Sequence, residues 1–175
     1  MSWFLKPHPD TPSAGAISIG VTVERNAANL LRLRYQVTGD VSGIAFPPIG
    51  EGVRTDGLWQ TTCFEAFVRT GDTEGYEELN FAPSGDWAGY HFETYREGMQ
   101  EAALFPSLDF NRENAILTAT IQLSPATSIW HLGLSAVIEE KSGTKSYWAL
   151  AHPPGKPDFH HRDCFALDLP AAKAP

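Results

Sequence analysis

Ile17-Ser18-Ile19-Gly20-Val21-Thr22-Val23 and Leu31-Arg32-Leu33-Arg34-Tyr35-Gln36-Val37 are the stretches from which the fold can be read. In the first, apolar side chains occupy every odd position, with Ser18, Gly20 and Thr22 between them. In the second, Leu31, Leu33, Tyr35 and Val37 alternate with Arg32, Arg34 and Gln36. Successive side chains of an extended backbone point to opposite faces, so a period of two gathers the apolar groups on one side of a strand. The polar segment 25–29 supplies a turn, and the pair reads as a hairpin with its apolar face inward.

The same signals continue along the chain. Segment 63–68 reads as a strand with Cys63, Glu65 and Phe67 on one side. Segments 76–82 and 87–95 follow, joined by the turn Pro83-Ser84-Gly85-Asp86. Leu117, Ala119, Ile121 and Leu123 alternate with polar residues. Segments 130–139 and 146–151 form a hairpin across 141–145, and 165–169 is the last strand. Pro47, Pro48, Gly50, Gly52 and Gly57 mark 46–57 as a loop, and a Pro-containing connection covers 105–108. Helical periodicity is confined to a weak case at 95–104. Roughly nine short strands separated by turns predict an all-β fold, a β-sandwich or barrel. We expect one domain over 1–170 and a short tail at 171–175.

The 175 residues hold 13 Lys plus Arg against 21 Asp plus Glu, a formal net charge of −8. That balance excludes a broad nucleic-acid or anionic-membrane surface, which needs clustered cations. Gly (15) and Pro (13) are frequent, and five Trp contribute to an aromatic share of 11%, so turns and ring-lined surfaces are expected. The N-terminal segment lacks the apolar core of a signal peptide, and no run reaches the roughly 18–20 apolar residues of a membrane span. The expectation is therefore a soluble, cytoplasmic protein. Cys63 and Cys164 lack CxxC spacing and each precedes Phe, which predicts buried free thiols.

Three constellations could carry function. In the first, Leu58-Trp59-Gln60-Thr61-Thr62-Cys63-Phe64-Glu65, a Trp ring at a loop–strand junction can stack on a sugar face, and Glu65 can accept hydroxyl hydrogen bonds. The plainer reading makes Trp59 a plug and Glu65 the partner of a core Arg. The second runs from Glu78-Leu79-Asn80-Phe81 through Trp87 to Tyr95-Arg96-Glu97-Gly98-Met99. It places Trp87, His91, Glu93 and Tyr95 on one strand face. That face reads as a cleft wall, or His91 as a hydrogen-bonded structural residue. The third, 152–165, carries His152, His160, His161, Asp158 and Asp163 on a proline-stiffened loop. Imidazole and carboxylate are metal ligands, but the spacing follows no established metal pattern, and a loop that satisfies its own backbone is the alternative. Ser84 lies in no GxSxG elbow, phosphate-cradling and dinucleotide motifs are absent, and Glu65, Glu78 and Glu93 are the only candidates for paired carboxylate chemistry.

Taken in this order, these stretches resemble the DOMON-like family of small bacterial proteins, which is related to family 9 carbohydrate-binding modules and to haem- or sugar-binding DOMON domains. The matching segments are 58–67, 80–87, 95–99 and 152–161. The resemblance implies an antiparallel β-sandwich of immunoglobulin-like or jelly-roll type. It implies that Trp59 and Trp87, with Trp148 in reserve, correspond to the two rings that hold a sugar in family 9 modules. It also implies that Met99 with His91, His152, His160 or His161 could supply haem ligands.

The function expected is non-catalytic binding of a carbohydrate or similar polyhydroxyl ligand. The residues expected to contact it are Trp59, Glu65, Asn80, Trp87, Arg96, Trp148, His152 and His160, with no cofactor and no catalytic residue. One alternative is a haem or redox module using Met99 and His91. A second is a small metal-dependent enzyme built on His152, His160, His161 and Asp163, and a third is a protein-interaction domain whose exposed rings dock a partner.

Overall fold

A computed structural model describes residues 2–172. Twelve strands account for nearly all the regular structure: β1 (Ser2–Pro7), β2 (Ile17–Ala27), β3 (Leu30–Gly39), β4 (Cys63–Thr70), β5 (Tyr76–Phe81), β6 (Trp87–Phe92), β7 (Gln100–Glu101), β8 (Ser107–Asn111), β9 (Ile116–Gln122), β10 (Trp130–Glu139), β11 (Lys145–Ala149) and β12 (Leu167–Leu169). The remainder is turn, loop and three single 3-10 turns. No helix among the described residues is long and apolar enough to cross a membrane.

All strand pairs are antiparallel, and they run in one path, β7-β6-β5-β4-β10-β11-β1-β2-β3-β9-β8, with β12 added beside β10. The all-β expectation holds. The separate layers of a sandwich do not appear, because β1 joins the two halves. Its residues 2–5 pair with β2, whereas Lys6 and Pro7 pair with Ala149 and Trp148 of β11. The result is an open half-barrel curled around the main core, ending at β7 and β8.

The alternating residues of the opening hairpin fill that core: Ile19, Val21, Leu33 and Tyr35 meet Phe64, Leu79, Trp130 and Leu132 from the opposite half. The Tyr35 hydroxyl spans the core to donate to the Glu65 carbonyl oxygen at 2.7 Å. At the far end, Arg25 lies over the Trp130 ring, 3.7 Å from its centroid, and donates to the carbonyl oxygens of Ala126 and Ser128. Both cysteines are buried free thiols, as their apolar settings suggested.

Three strands escape the sequence patterns. β1 is short, half exposed and closed by Pro7. β7 and β8 are short edge pieces, paired to their sequence neighbours β6 and β9. The segment 95–104 is not helical. β6 stops at Phe92, and the chain reverses through an isolated bridge between Thr94 and Glu97 before β7 pairs back onto β6. Arg96 and Gly98 take positive φ in this reversal (58° and 67°), and a side chain at 98 would strike Glu93. Tyr95 is thereby turned away from the face that carries Trp87 and His91, so the shared aromatic face expected over 87–95 is not formed.

Replacing Tyr35 by Phe keeps the ring but leaves the Glu65 carbonyl without its cross-core donor. The expected loss is about 1–2 kcal/mol in chemical denaturation at pH 7, and a variant as stable as the parent would contradict this role of the hydroxyl.

Candidate functional site

The half-barrel has a second face. On β4, Phe64, Ala66 and Val68 enter the main core, so Cys63, Glu65 and Phe67 point the other way, and all six are buried. Strand register extends this outward face into rows. Ser135 of β10, Glu65, Asn80 of β5 and Ala88 of β6 lie side by side. The neighbouring row is Gly133, Phe67, Glu78 and Tyr90. Small residues in both rows leave space above the sheet. Gly133 is needed for another reason: a Cβ there would lie 3.1 Å from the Cys164 carbonyl oxygen, where the 152–165 loop crosses the sheet.

Over these rows lies a cavity of about 1020 Å³, comparable with the upper range of small-ligand sites. Three segments wall it. Gly57, at φ 74°, turns the chain into the 3-10 turn Leu58–Gln60, which holds Trp59 at the rim with 52% of its surface exposed. The 96–101 reversal contributes Arg96, Met99 and Glu101, and the 152–165 loop contributes Phe159 and His160. Asp86 anchors the approach to Trp59 by accepting from the backbone N–H groups of Gly52 and Val53.

The floor is polar and buried. Glu65 is only 3% exposed. One carboxyl oxygen accepts from the Ser135 hydroxyl at 3.2 Å, and the other has no partner among the described residues. Burial, reinforced by the nearby Glu78 charge, raises its pKa to about 8, against the lowering effect of the Ser135 hydrogen bond. Glu78 accepts from Asn80 Nδ2 at 2.9 Å; burial raises its pKa too, opposed by that bond and by Arg96. Asn80 Oδ1 is buried without a partner.

His160 joins floor to wall. Its Nδ1 lies 2.8 Å from the Tyr76 hydroxyl, which also accepts from the Arg96 backbone N–H at 3.2 Å. When Tyr76 donates to Nδ1, the neutral imidazole carries its proton on Nε2, which lies 3.5 Å from Glu78 Oε2. Burial first, then the Arg96 charge, lowers the His160 pKa to about 4, so the ring is neutral near pH 7. Arg96 pairs with Asp158 at 2.8 Å, and Tyr95 also donates to Asp158. On the other wall, Arg54 meets Asp56 at 3.0 Å and Glu101 at 3.4 Å, and the Tyr90 hydroxyl donates to Asp56 at 2.6 Å.

Of the residues singled out in the sequence, Trp59, Glu65, Arg96, Met99 and His160 line this cavity, with Asn80 in the row beneath. Trp87 and Trp148 do not join them. Trp87 stands beside Phe81 on the opposite face and packs on Phe105, and Trp148 is part of the main core. Two rings flanking one ligand, as the resemblance implied for Trp59 and Trp87, are therefore not assembled. His91 projects from that same opposite face and meets Glu77 at 2.9 Å, apart from Met99 at the cavity rim. In the 152–163 segment, His152 Nε2 donates to the Lys6 carbonyl oxygen at 2.8 Å. His161 Nδ1 accepts from the Asp163 N–H, and His160 faces the cavity. No three His, Cys, Asp or Glu side chains among the described residues are grouped to hold a metal ion. Arg54, Asp56, Tyr76 and Tyr147 enter the site without a local sequence signal: one loop brings Arg54 and Asp56, and strands β5 and β11 bring Tyr76 and Tyr147.

No protein-family model matches the chain, and no curated protein does. Its backbone is similar to the crystal structure of a "putative carbohydrate-binding protein" from Bacteroides uniformis ATCC 8492. The TM-score is 0.61 and the sequence identity 12%, over 93% of this chain and 83% of that one. At that identity the likeness is one of fold.

The raised Glu65 pKa has a defined sign. The folded state holds this proton up to about pH 8, whereas the unfolded chain releases it near the ordinary Glu value. The group therefore subtracts stability progressively as pH rises from about 4.5 to about 8. Glu65→Gln should be more stable than the parent at pH 8, by an amount on the order of a few kcal/mol, and the advantage should shrink towards pH 5. Denaturant midpoints of the two proteins across that range check it; a constant difference would place Glu65 in a solvated setting.

Proposed function

We propose that the chain binds a carbohydrate or similar polyhydroxyl ligand in the cavity over β4, β5 and β10, without transforming it. The observation that carries this reading is the pairing of a half-exposed Trp59 ring at the rim with Glu65 and Glu78 on a buried floor. A ring face packs against sugar C–H groups, while the hydroxyls need fixed acceptors and donors. Glu65 and Glu78 accept, and the protonated Glu65 carboxyl, the His160 Nε2–H and Arg96 donate. The fold likeness to a protein described as a putative carbohydrate-binding protein agrees with this reading, and so does the resemblance to DOMON-like and family 9 proteins.

The test is calorimetric titration with a panel of neutral oligosaccharides. Trp59→Ala should weaken the best binder about tenfold, the scale of one lost stacking contact. Trp87→Ala should lower the melting temperature but leave the affinity of the folded protein unchanged, because that ring lies on the other face. Absence of binding across the panel would refute the reading. Turnover of a bound glycan, lost in Glu65→Gln, would replace binding by hydrolysis.

A further inference from the structure

The charges around the cavity are unevenly matched. Arg54 and Arg96 line it together with Asp56, Glu65, Glu78 and Glu101. Both arginines are committed at the rim: Arg54 to Asp56 and Glu101, Arg96 to Asp158. The Arg96 charge is felt at Glu78, but among the described residues no Lys or Arg side chain bonds either Glu65 or Glu78. The one donor to Glu65 is the neutral Ser135 hydroxyl, and the one side-chain amide donor to Glu78 is Asn80. The imidazole facing Glu78 is neutral, and the free Glu65 oxygen opens on the cavity.

We propose that the floor between Glu65 and Glu78 seats a protonated amino group, so that the cavity selects amino-bearing sugars over their neutral counterparts. This rests on the reading of the cavity as a polyhydroxyl site. An ammonium group presents three donors and a positive charge to two carboxyl groups on diagonal positions of adjacent strands. Such charge-assisted bonds are about twice as strong as neutral ones. A ligand hydroxyl would offer a neutral donor only, with no positive charge to balance Glu78 or to favour the ionised form of Glu65.

The proposal carries a proton balance. Glu65 is mostly protonated below pH 8, and an ammonium beside it favours the carboxylate. Binding therefore transfers the Glu65 proton to solvent while the ligand keeps its own. The other groups facing Glu65 do not mimic this release: Cys63 and Tyr35 are pushed up by burial, and His160 is pushed down. Arg96 stays charged, and Tyr90 is raised. Tyr147 also lines the cavity, and Glu78 shares the role proposed for Glu65.

Cellotetraose, tetraglucosamine and its N-acetylated form share one backbone and differ only in the substituent at C2. Titrated at pH 6, tetraglucosamine should bind at least about tenfold tighter than either neutral chain. It alone should release protons, read as a heat that varies with the ionisation enthalpy of the buffer. Glu65→Gln should bring the affinity ratio close to one and remove the buffer dependence, and Glu78→Gln should lower the same ratio, both in proteins verified as folded by their melting transitions. Equal affinity for all three chains, or a ratio unchanged in Glu65→Gln, would overturn the amine site and leave the polyhydroxyl reading intact. Failure of every chain to bind would remove both.

Discussion

β4 has no solvent face, and the molecule is arranged around that constraint. Its even residues are covered by the hairpin of β2 and β3 across the main core, and its odd residues by the 152–165 loop and the chain around Trp59. A strand buried on both sides is ordinarily apolar throughout. Glu65 in its middle is the exception, and every neighbour contributes to the outcome. β10 can offer only a serine hydroxyl, β5 offers a second carboxyl and an amide, and Tyr35 binds the Glu65 backbone and not its side chain. The carboxyl group therefore keeps its proton.

Charge in the site is separated by depth. At the rim, arginines and acids neutralise one another in pairs that also tie loops together: Arg96 with Asp158 links the 96–101 reversal to the 152–165 loop, and Arg54 with Glu101 links that reversal to the loop before Trp59. Positive φ at Arg96 is a strained conformation for a residue with a Cβ, costing on the order of 1–3 kcal/mol. It is held by the backbone bond to Tyr76 and the ion pair to Asp158. The same tyrosine hydroxyl lies 2.8 Å from His160 Nδ1. One hydroxyl thus couples the backbone of one wall to the imidazole at the floor.

The strands with clean alternation, β2, β3 and β9, were legible in the sequence because each buries one face only. The β5–β6 and β10–β11 hairpins were legible from their turns. β1, β7 and β8 were not, since short strands with few buried side chains show no clear period. Glu65 and Asn80 stood out because polar groups interrupt apolar stretches, His160 because it belongs to a His- and Asp-rich loop, and Arg96 because it falls in the matched 95–99 segment. Trp59 and Trp87 looked alike in the sequence, and only strand parity separates them: one heads a turn on the cavity side, and the other falls on the opposite face of β6. Arg54 and Asp56 gave no signal, because a loop residue acquires its place from tertiary contacts.

The dual pairing of β1 has a consequence for how the chain reaches this state. Its bond to β2 is local and can form early. Its bond to β11 joins Lys6 to Ala149, positions at opposite ends of the described chain. Closing so large a loop carries an entropic penalty before any contact rewards it, which slows folding in proteins dominated by distant pairings. Until that closure, the two halves carry unpaired edges at β1 and β11, each a template for another chain. The seam that makes the half-barrel continuous is thus also where a slowly folding population would be open to strand exchange.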